Sequence, residues 1–168
     1  NNFFSPNGAI DPIINRISGP KIDTLIKRFK INGLSVNLGS GQDKHPNFIN
    51  IDLGNYEPVH IVSDISNVPF SDSSIDLIVS NSVLEHIYDY EDVIKEVTRI
   101  LKNKGIFYLC VPSVCPRHHE IDYHRWTSQG LRELLSNDFE IIESGVCRGI
   151  PHFMTIYIHQ LIDLKIKN

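Results

Sequence analysis

Residues Ser35 to Asp52 constrain the fold more than any other stretch of the chain. They read Ser-Val-Asn-Leu-Gly-Ser-Gly-Gln, then a short gap, then Phe-Ile-Asn-Ile-Asp. An apolar strand runs into a Gly-x-Gly turn, and a second apolar strand ends in a carboxylate. Glycine has no Cβ, so the backbone there can approach a ligand closely and take a positive φ. A carboxylate that closes the next strand can hold two ribose hydroxyls. The pattern predicts a nucleoside-binding edge on a parallel sheet.

The rest of the chain supplies the sheet. Lys21 to Lys30 spaces Ile22, Leu25, Ile26 and Phe29 for a helix, stopped by Asn32-Gly33. Leu34 to Leu38, Phe48 to Asp52, Val59 to Val62 and Ile75 to Ser80 read as four strands. Asp89 to Leu101 is the clearest helix, with Val93, Ile94, Val97, Ile100 and Leu101 on one face and Asp89 placed to cap it. Lys102 to Gly105 carries helix stop signals, and Ile106 to Val111 follows as a fifth strand. Thr127 is placed to cap a helix through Leu135, and Phe139 to Glu143 is expected to be a sixth strand. Strands alternating with helices predict a doubly wound, mostly parallel α/β sheet covered on both faces. Residues 1–20, rich in Pro and Gly, are expected to form an irregular arm, and residues 21–168 a single domain. From Ile150 to Ile162 a helical face is favoured over a strand.

Bulk properties narrow the partners. The chain has 168 residues and a net charge of −4, with its Lys and Arg scattered. A nucleic-acid groove would show a basic face, so no nucleic acid is expected. Cys110, Cys115 and Cys147 are an odd set without a framework spacing, which suggests free thiols in a reducing compartment. No apolar run is long enough to span a bilayer, and a cytoplasmic location is expected. The oligomeric state is open.

The short crossover selects among nucleosides. A dinucleotide fingerprint needs a third glycine and an acid about twenty residues on. Lys44 stands at the third position, and Asp52 follows Gly41 too soon. Pro46 biases His45 away from helix, so no helix N-terminus is expected to receive a pyrophosphate. A Walker-type Gly-Lys-Ser/Thr is absent as well. The site suits a nucleoside without phosphate, and S-adenosylmethionine is the common cofactor of that kind.

Further motifs extend the pattern. Asn37-Leu38-Gly39-Ser40-Gly41 is followed by Ile49-Asn50-Ile51-Asp52-Leu53 and by Ser63-Asp64-Ile65. Next come residues 68–78, Val-Pro-Phe-Ser-Asp-Ser-Ser-Ile-Asp-Leu-Ile, and then Val83-Leu84-Glu85-His86-Ile87. Arg99 to Gly105 reads Arg-Ile-Leu-Lys-Asn-Lys-Gly. In this order and spacing, over roughly residues 33–145, the chain resembles a Rossmann-like class I S-adenosylmethionine-dependent methyltransferase. The variant with a short first crossover and Leu-Glu-His after strand four resembles methyltransferases linked with surface-polysaccharide and sugar pathways.

The resemblance implies roles for particular residues. Gly39, Ser40 and Gly41 would bring backbone amides to the methionine carboxylate. Asn37, where the family more often has an acid, either contacts the methionine moiety or satisfies the local backbone. Asp52 would grip the ribose hydroxyls, and Leu53 would pack on the adenine face. Asp64 would accept from the adenine amino group, and the Ile65 amide would meet a ring nitrogen. Asn81 would meet the amino end of the cofactor. Histidine as a residue type can take up a proton near neutral pH, which makes His86 the candidate base for an acceptor hydroxyl; the plainer reading is that it packs against the sheet. Asp72 and Asp76 read as turn residues.

The segment Pro116 to Trp126 carries the acceptor candidates His119, Tyr123, His124 and Arg125, suited to gripping a sugar or carboxylate. Its histidines and acids match no zinc spacing, and no metal site is expected. The reaction implied is SN2 transfer of the sulfonium methyl to a small polar acceptor, with a saccharide or glycan precursor leading. The alternative is a non-catalytic cofactor-binding or regulatory protein of the same fold. The family usually ends in a strand hairpin that this chain barely reaches. Either Phe153 to Gln160 is that last strand, or the chain is a fragment that lacks it.

Overall fold

The structure is a computed structural model that describes residues 22–43 and 45–145. Five strands are present: β1 (Ser35–Leu38), β2 (Ile49–Asp52), β3 (Ile61–Val62), β4 (Ile75–Asn81) and β5 (Leu101–Cys110). All neighbours are parallel, in the order β3-β2-β1-β4-β5. The helices are α1 (Ile22–Phe29), α2 (Tyr90–Ile100) and α3 (Ser128–Leu135), with a 3-10 turn at Leu84–His86.

Helices cover both faces. Alternate residues of a strand point to opposite sides, and β4 divides its side chains accordingly. Leu77 and Val79 join Phe48 against Ile22 and Ile26 of α1. Ile78 joins Val36, Leu38 and Ile51 against Val93, Val97 and Ile100 of α2. Residues Leu77 to Ser80 are therefore buried without interruption, as expected of a strand enclosed on both sides. The doubly wound parallel sheet read from the sequence is the observed architecture.

Two features of α2 differ from expectation. Asp89 occupies the N-cap position, but its side chain makes no capping hydrogen bond. Glu96 is turned into the buried face, where it accepts from the Val68 N–H at 2.8 Å and from Arg99 Nε and Nη2 at 2.7 Å each. These bonds satisfy a carboxylate that the apolar periodicity leaves unexplained. Thr127 caps α3 as expected, its side chain accepting from the Gly130 N–H at 3.0 Å.

Pairing with β4 resumes as soon as α2 ends. Leu101 pairs with Ile75, an irregularity spans Lys102 to Gly105, and the regular ladder runs from Ile106 to Cys110. Lys104 takes a φ of 67° within that irregularity.

The sixth strand expected at Phe139 to Glu143 is not present. Phe139 packs its ring 5.6 Å from that of Phe107, so the burial signal was sound. A strand also needs a ladder partner, and none among the described residues pairs with this segment. Glu143 is instead tied to Arg28 of α1. The expected N-terminal arm, the tail helix, the alternative Phe153 to Gln160 strand and Cys147 lie outside the described residues.

Candidate functional site

The strand order reverses at β1, which pairs with β2 on one side and β4 on the other. In open α/β sheets the crevice beyond the C-terminal strand ends at such a point receives ligands. Gly39 follows β1 there, Asp52 ends β2, and Asn81 ends β4.

The two glycines of the turn have different reasons to be glycine. Both take a positive φ, 65° at Gly39 and 53° at Gly41. A Cβ on Gly39 would also lie 2.5 Å from the Val83 side chain, whereas a Cβ on Gly41 would meet nothing within 4 Å. Gly39 thus lets the turn sit against the chain leaving β4, and Gly41 leaves open space above it. Between them, Ser40 is buried and donates its N–H to the Ile51 carbonyl at 3.0 Å.

Asp52 closes the unit. Its carboxylate accepts from the Gly41 N–H at 2.9 Å and the Gly54 N–H at 3.0 Å. Burial pushes the Asp52 carboxyl up, but hydrogen bonds from Gly54, Gly41, the Tyr56 hydroxyl and Leu53 outweigh it and hold the group below its ordinary value. Burial, then the Asp52 carboxylate, raise the Tyr56 phenol in turn. The Tyr56 ring rests where a side chain on Gly54 would be. Tyr56 is a site residue that the sequence did not mark, since only the turn at Gly54 brings it back onto Asp52.

Other cofactor candidates gather at the same edge. Asn37 is buried in β1, in register with Asn50 and Val79. Leu53, beside Asp52, is 73% exposed, an uncovered apolar face at the mouth. Asp64 follows β3 exposed, and its Oδ1 accepts from the Ser66 N–H and hydroxyl at 2.9 and 2.8 Å. Ile65 is buried in the core cluster, which anchors the backbone of that turn. Asn81 is exposed, and Ser82 next to it takes a φ of 57°.

The acceptor candidates divide into two groups. Tyr123 donates its N–H to the Glu85 carbonyl at 2.7 Å, which stitches the loop to the 3-10 turn. Its ring is exposed and stands edge-on to exposed Tyr88, 5.5 Å away. His119 is also exposed, with its ring 5.2 Å from that of His86. His124, by contrast, uses Nε2 on the Tyr88 carbonyl at 3.1 Å and packs against Tyr90 and Trp126.

Arg125 is a correction. Its guanidinium reaches the carbonyls of Cys115, Pro116 and His124 and both carboxylate oxygens of Asp122. Those bonds occupy all its N–H donors, so it clasps the loop and offers no free fork to an acceptor. Asp122 is held well below the usual carboxylate range, first by the Arg125 hydrogen bonds.

His86 lies at the end of the 3-10 turn with Nδ1 against the Ile121 carbonyl. A carbonyl only accepts, so Nδ1 carries the proton and Nε2 of the neutral ring bears the lone pair. Asp72 and Asp76 are structural as expected: Asp72 pairs with Arg99, and Asp76 pairs with Lys102 and accepts from the Leu34 N–H. A shallow pocket lined by Asn32, Gly33, Asp76 and Lys102 lies at the opposite, N-terminal edge of the sheet, away from this chemistry.

Among the described residues no helix is long and apolar enough to cross a membrane. Residues 38–109 match the family model described as a methyltransferase domain. A segment of 50 residues is 30% identical to a "Probable S-adenosylmethionine-dependent methyltransferase" of Mycolicibacterium smegmatis, covering 30% of this chain and 20% of that protein. Another of 45 residues is 44% identical to an uncharacterized protein of Methanocaldococcus jannaschii, covering 27% of this chain and 20% of that protein. The matches thus span about a fifth of these relatives' length. Among solved structures, a SAM-dependent methyltransferase of Thermotoga maritima superposes with a TM-score of 0.55 at 17% identity, covering 76% of this chain and 73% of that one. The YcgJ protein of Bacillus subtilis superposes with a TM-score of 0.52 at 16% identity, covering 69% and 66%. Strand order, the turn at the switch point and these likenesses agree that the chain has the Rossmann-like fold of the class I S-adenosylmethionine-dependent methyltransferases.

Proposed function

We propose that the chain binds S-adenosylmethionine at the C-terminal edge of its sheet and transfers the methyl group to a small polar acceptor. A saccharide or glycan precursor is the leading acceptor class. The observation that carries the reading is the closure of the Gly39–Gly41 turn onto an ionised Asp52. That edge joins a carboxylate for a ribose diol to an uncovered apolar face at Leu53. The described residues of the crossover from β1 to β2 form turns and no helix, so they offer no helix N-terminus to a pyrophosphate.

In this reading Gly39, Ser40, Gly41, Asn37 and Asn81 surround the methionine part. Asp52, Leu53, Asp64 and Ile65 hold the nucleoside. Bound there, S-adenosylmethionine would supply an activated methyl group to the acceptor's oxygen, the carbon–sulfur electron pair leaving on sulfur. The protein's task is to align two reactants and exclude water. His86 Nε2 takes the hydroxyl proton. Exposed Tyr88 and Tyr123 suit stacking on a sugar face, and exposed His119 stands beside His86. Among the described residues Cys110 and Cys115 are in no disulfide, which fits a cytoplasmic setting.

Calorimetry with S-adenosylmethionine, S-adenosylhomocysteine and NAD tests the proposal. The two sulfur nucleosides should bind and NAD should not. Asp52→Ala should weaken S-adenosylmethionine by about tenfold or more, the loss of a charge-assisted pair of hydrogen bonds. Binding of neither sulfur nucleoside would sink the reading. Tight binding without turnover on sugars and quinone-like acceptors would favour a non-catalytic cofactor-binding protein.

A further inference from the structure

Glu85 presents an unsolved problem in the fold. Its side chain is 0% exposed, and neither carboxylate oxygen has a hydrogen-bond partner. A buried carboxylate without partners is costly. Two imidazoles face it. His86 Nε2 lies 3.9 Å and His118 Nε2 3.8 Å from Glu85 Oε1. These distances are too long for hydrogen bonds.

Both rings are held with the same nitrogen turned inward. His86 Nδ1 donates to the Ile121 carbonyl. His118 Nδ1 lies 3.3 Å from Asp122 Oδ2, and its backbone N–H donates to the same oxygen at 3.0 Å. Arg125 grips Asp122 in turn. A carbonyl and a carboxylate behind two Nδ1 atoms are the usual outer partners of metal-binding histidines, fixing the tautomer that frees Nε2. Two lone pairs and an unpartnered carboxylate therefore converge on one point, with one donor atom from each residue within 4.8 Å of the others. Such a convergence is repulsive unless a proton is held between the groups or a metal cation lies at their centre.

We propose that Glu85, His86 and His118 form a binding site for a first-row divalent metal ion, with zinc the leading candidate. Two imidazoles and one carboxylate suit zinc, cobalt or iron better than magnesium or calcium. Ligand bonds of about 2.0–2.2 Å would set the donors roughly 3.4 Å apart, so the 3.9 and 3.8 Å separations from Glu85 have to shorten by roughly 0.5 Å and the histidine pair, within 4.8 Å, by at most about 1.4 Å. Three protein ligands leave a position open, the pattern of catalytic rather than structural zinc sites. It lies on the rim where the acceptor is expected, so the open position suits an acceptor hydroxyl. An ion there takes the Nε2 lone pair of His86, so ligation and the proton-accepting role given above exclude each other. The site departs from the sequence-based expectation of no metal, because Glu85 and His118 meet only through the loop after β5.

The test is calorimetric titration of the metal-stripped 168-residue chain with zinc chloride, with cobalt(II) absorption as a second readout. One equivalent should bind. Glu85→Gln and His118→Ala should each weaken it by about tenfold or more, with circular dichroism unchanged, and His45→Ala should leave it intact. If Glu85→Gln does not fold, half-exposed His118 carries the test, since its side chain supports little of the core. Absence of saturable binding would overturn the site, and so would wild-type affinity in His118→Ala. The titration needs no S-adenosylmethionine, so its failure is distinct from failure of the cofactor reading.

Discussion

Gly39 and Gly41 allow the turn at the site to be dissected by one matched pair of substitutions. Both residues have positive φ, so an alanine at either costs about 1–2 kcal/mol in backbone strain. At Gly41 the new methyl enters open space, and that is the whole cost. At Gly39 it would lie 2.5 Å from Val83 Cγ1 and 2.6 Å from Cγ2, so both Val83 methyls must move. Overpacking of this kind costs about 1–3 kcal/mol more. Gly39→Ala should therefore destabilise by about 2–5 kcal/mol and Gly41→Ala by about 1–2 kcal/mol. Urea unfolding at constant m measures both. Val83→Ala in the Gly39→Ala background should recover most of the packing part, the retained Val83 Cβ lying 3.1 Å away, and leave the strain. Equal losses at the two glycines, or no recovery with Val83→Ala, would refute the reasoning. The turn would then not be pressed against the residue that follows β4.

Three other outcomes follow from the same geometry. Glu96 is held below its ordinary value of 4.5, chiefly by the Arg99 hydrogen bond and against burial. Its contribution is thus fully present above that value and is lost as the pH falls through the depressed one. Glu96→Gln should cost about 1.5–3 kcal/mol at neutral pH and flatten the acid limb of stability, measured as denaturation midpoints across pH. Tyr56→Phe removes a hydroxyl that stabilises the Asp52 carboxylate, so the Asp52 titration followed by carbon-13 NMR should move upward. Arg125→Lys replaces a planar fork with a point charge and cannot keep the bonds to Asp122, Cys115 and Pro116 together. Amide exchange in residues 115–126 should quicken while that of β4 stays slow; an unchanged loop would show that Arg125 is not its clasp.

Much of the architecture was legible locally. The Gly-x-Gly turn between β1 and β2 and the acid at Asp52 are contiguous in sequence, and their geometry depends on backbone freedom and strand length. The same holds for the apolar stripe of α2 and the Thr127 cap, because side-chain period reports which face is buried. That logic failed at Phe139 to Glu143. An apolar run declares burial, but a strand also requires a partner, and Phe139 found a ring instead. It also misplaced Arg125, whose composition suggests a ligand grip and whose five donors are spent on its own loop.

By itself, then, the sequence determined a doubly wound sheet and the Gly-x-Gly edge proposed here for a nucleoside, since both follow from short-range pattern. Only the tertiary structure decided which side chains meet there. Tyr56 returns to Asp52, Val83 presses on Gly39, and His118 crosses the rim to face Glu85. The physical reason is that strand and helix periods set the direction of a side chain, whereas the packing of separate segments sets its neighbours. Neighbours are what fix a carboxylate's proton or a histidine's tautomer.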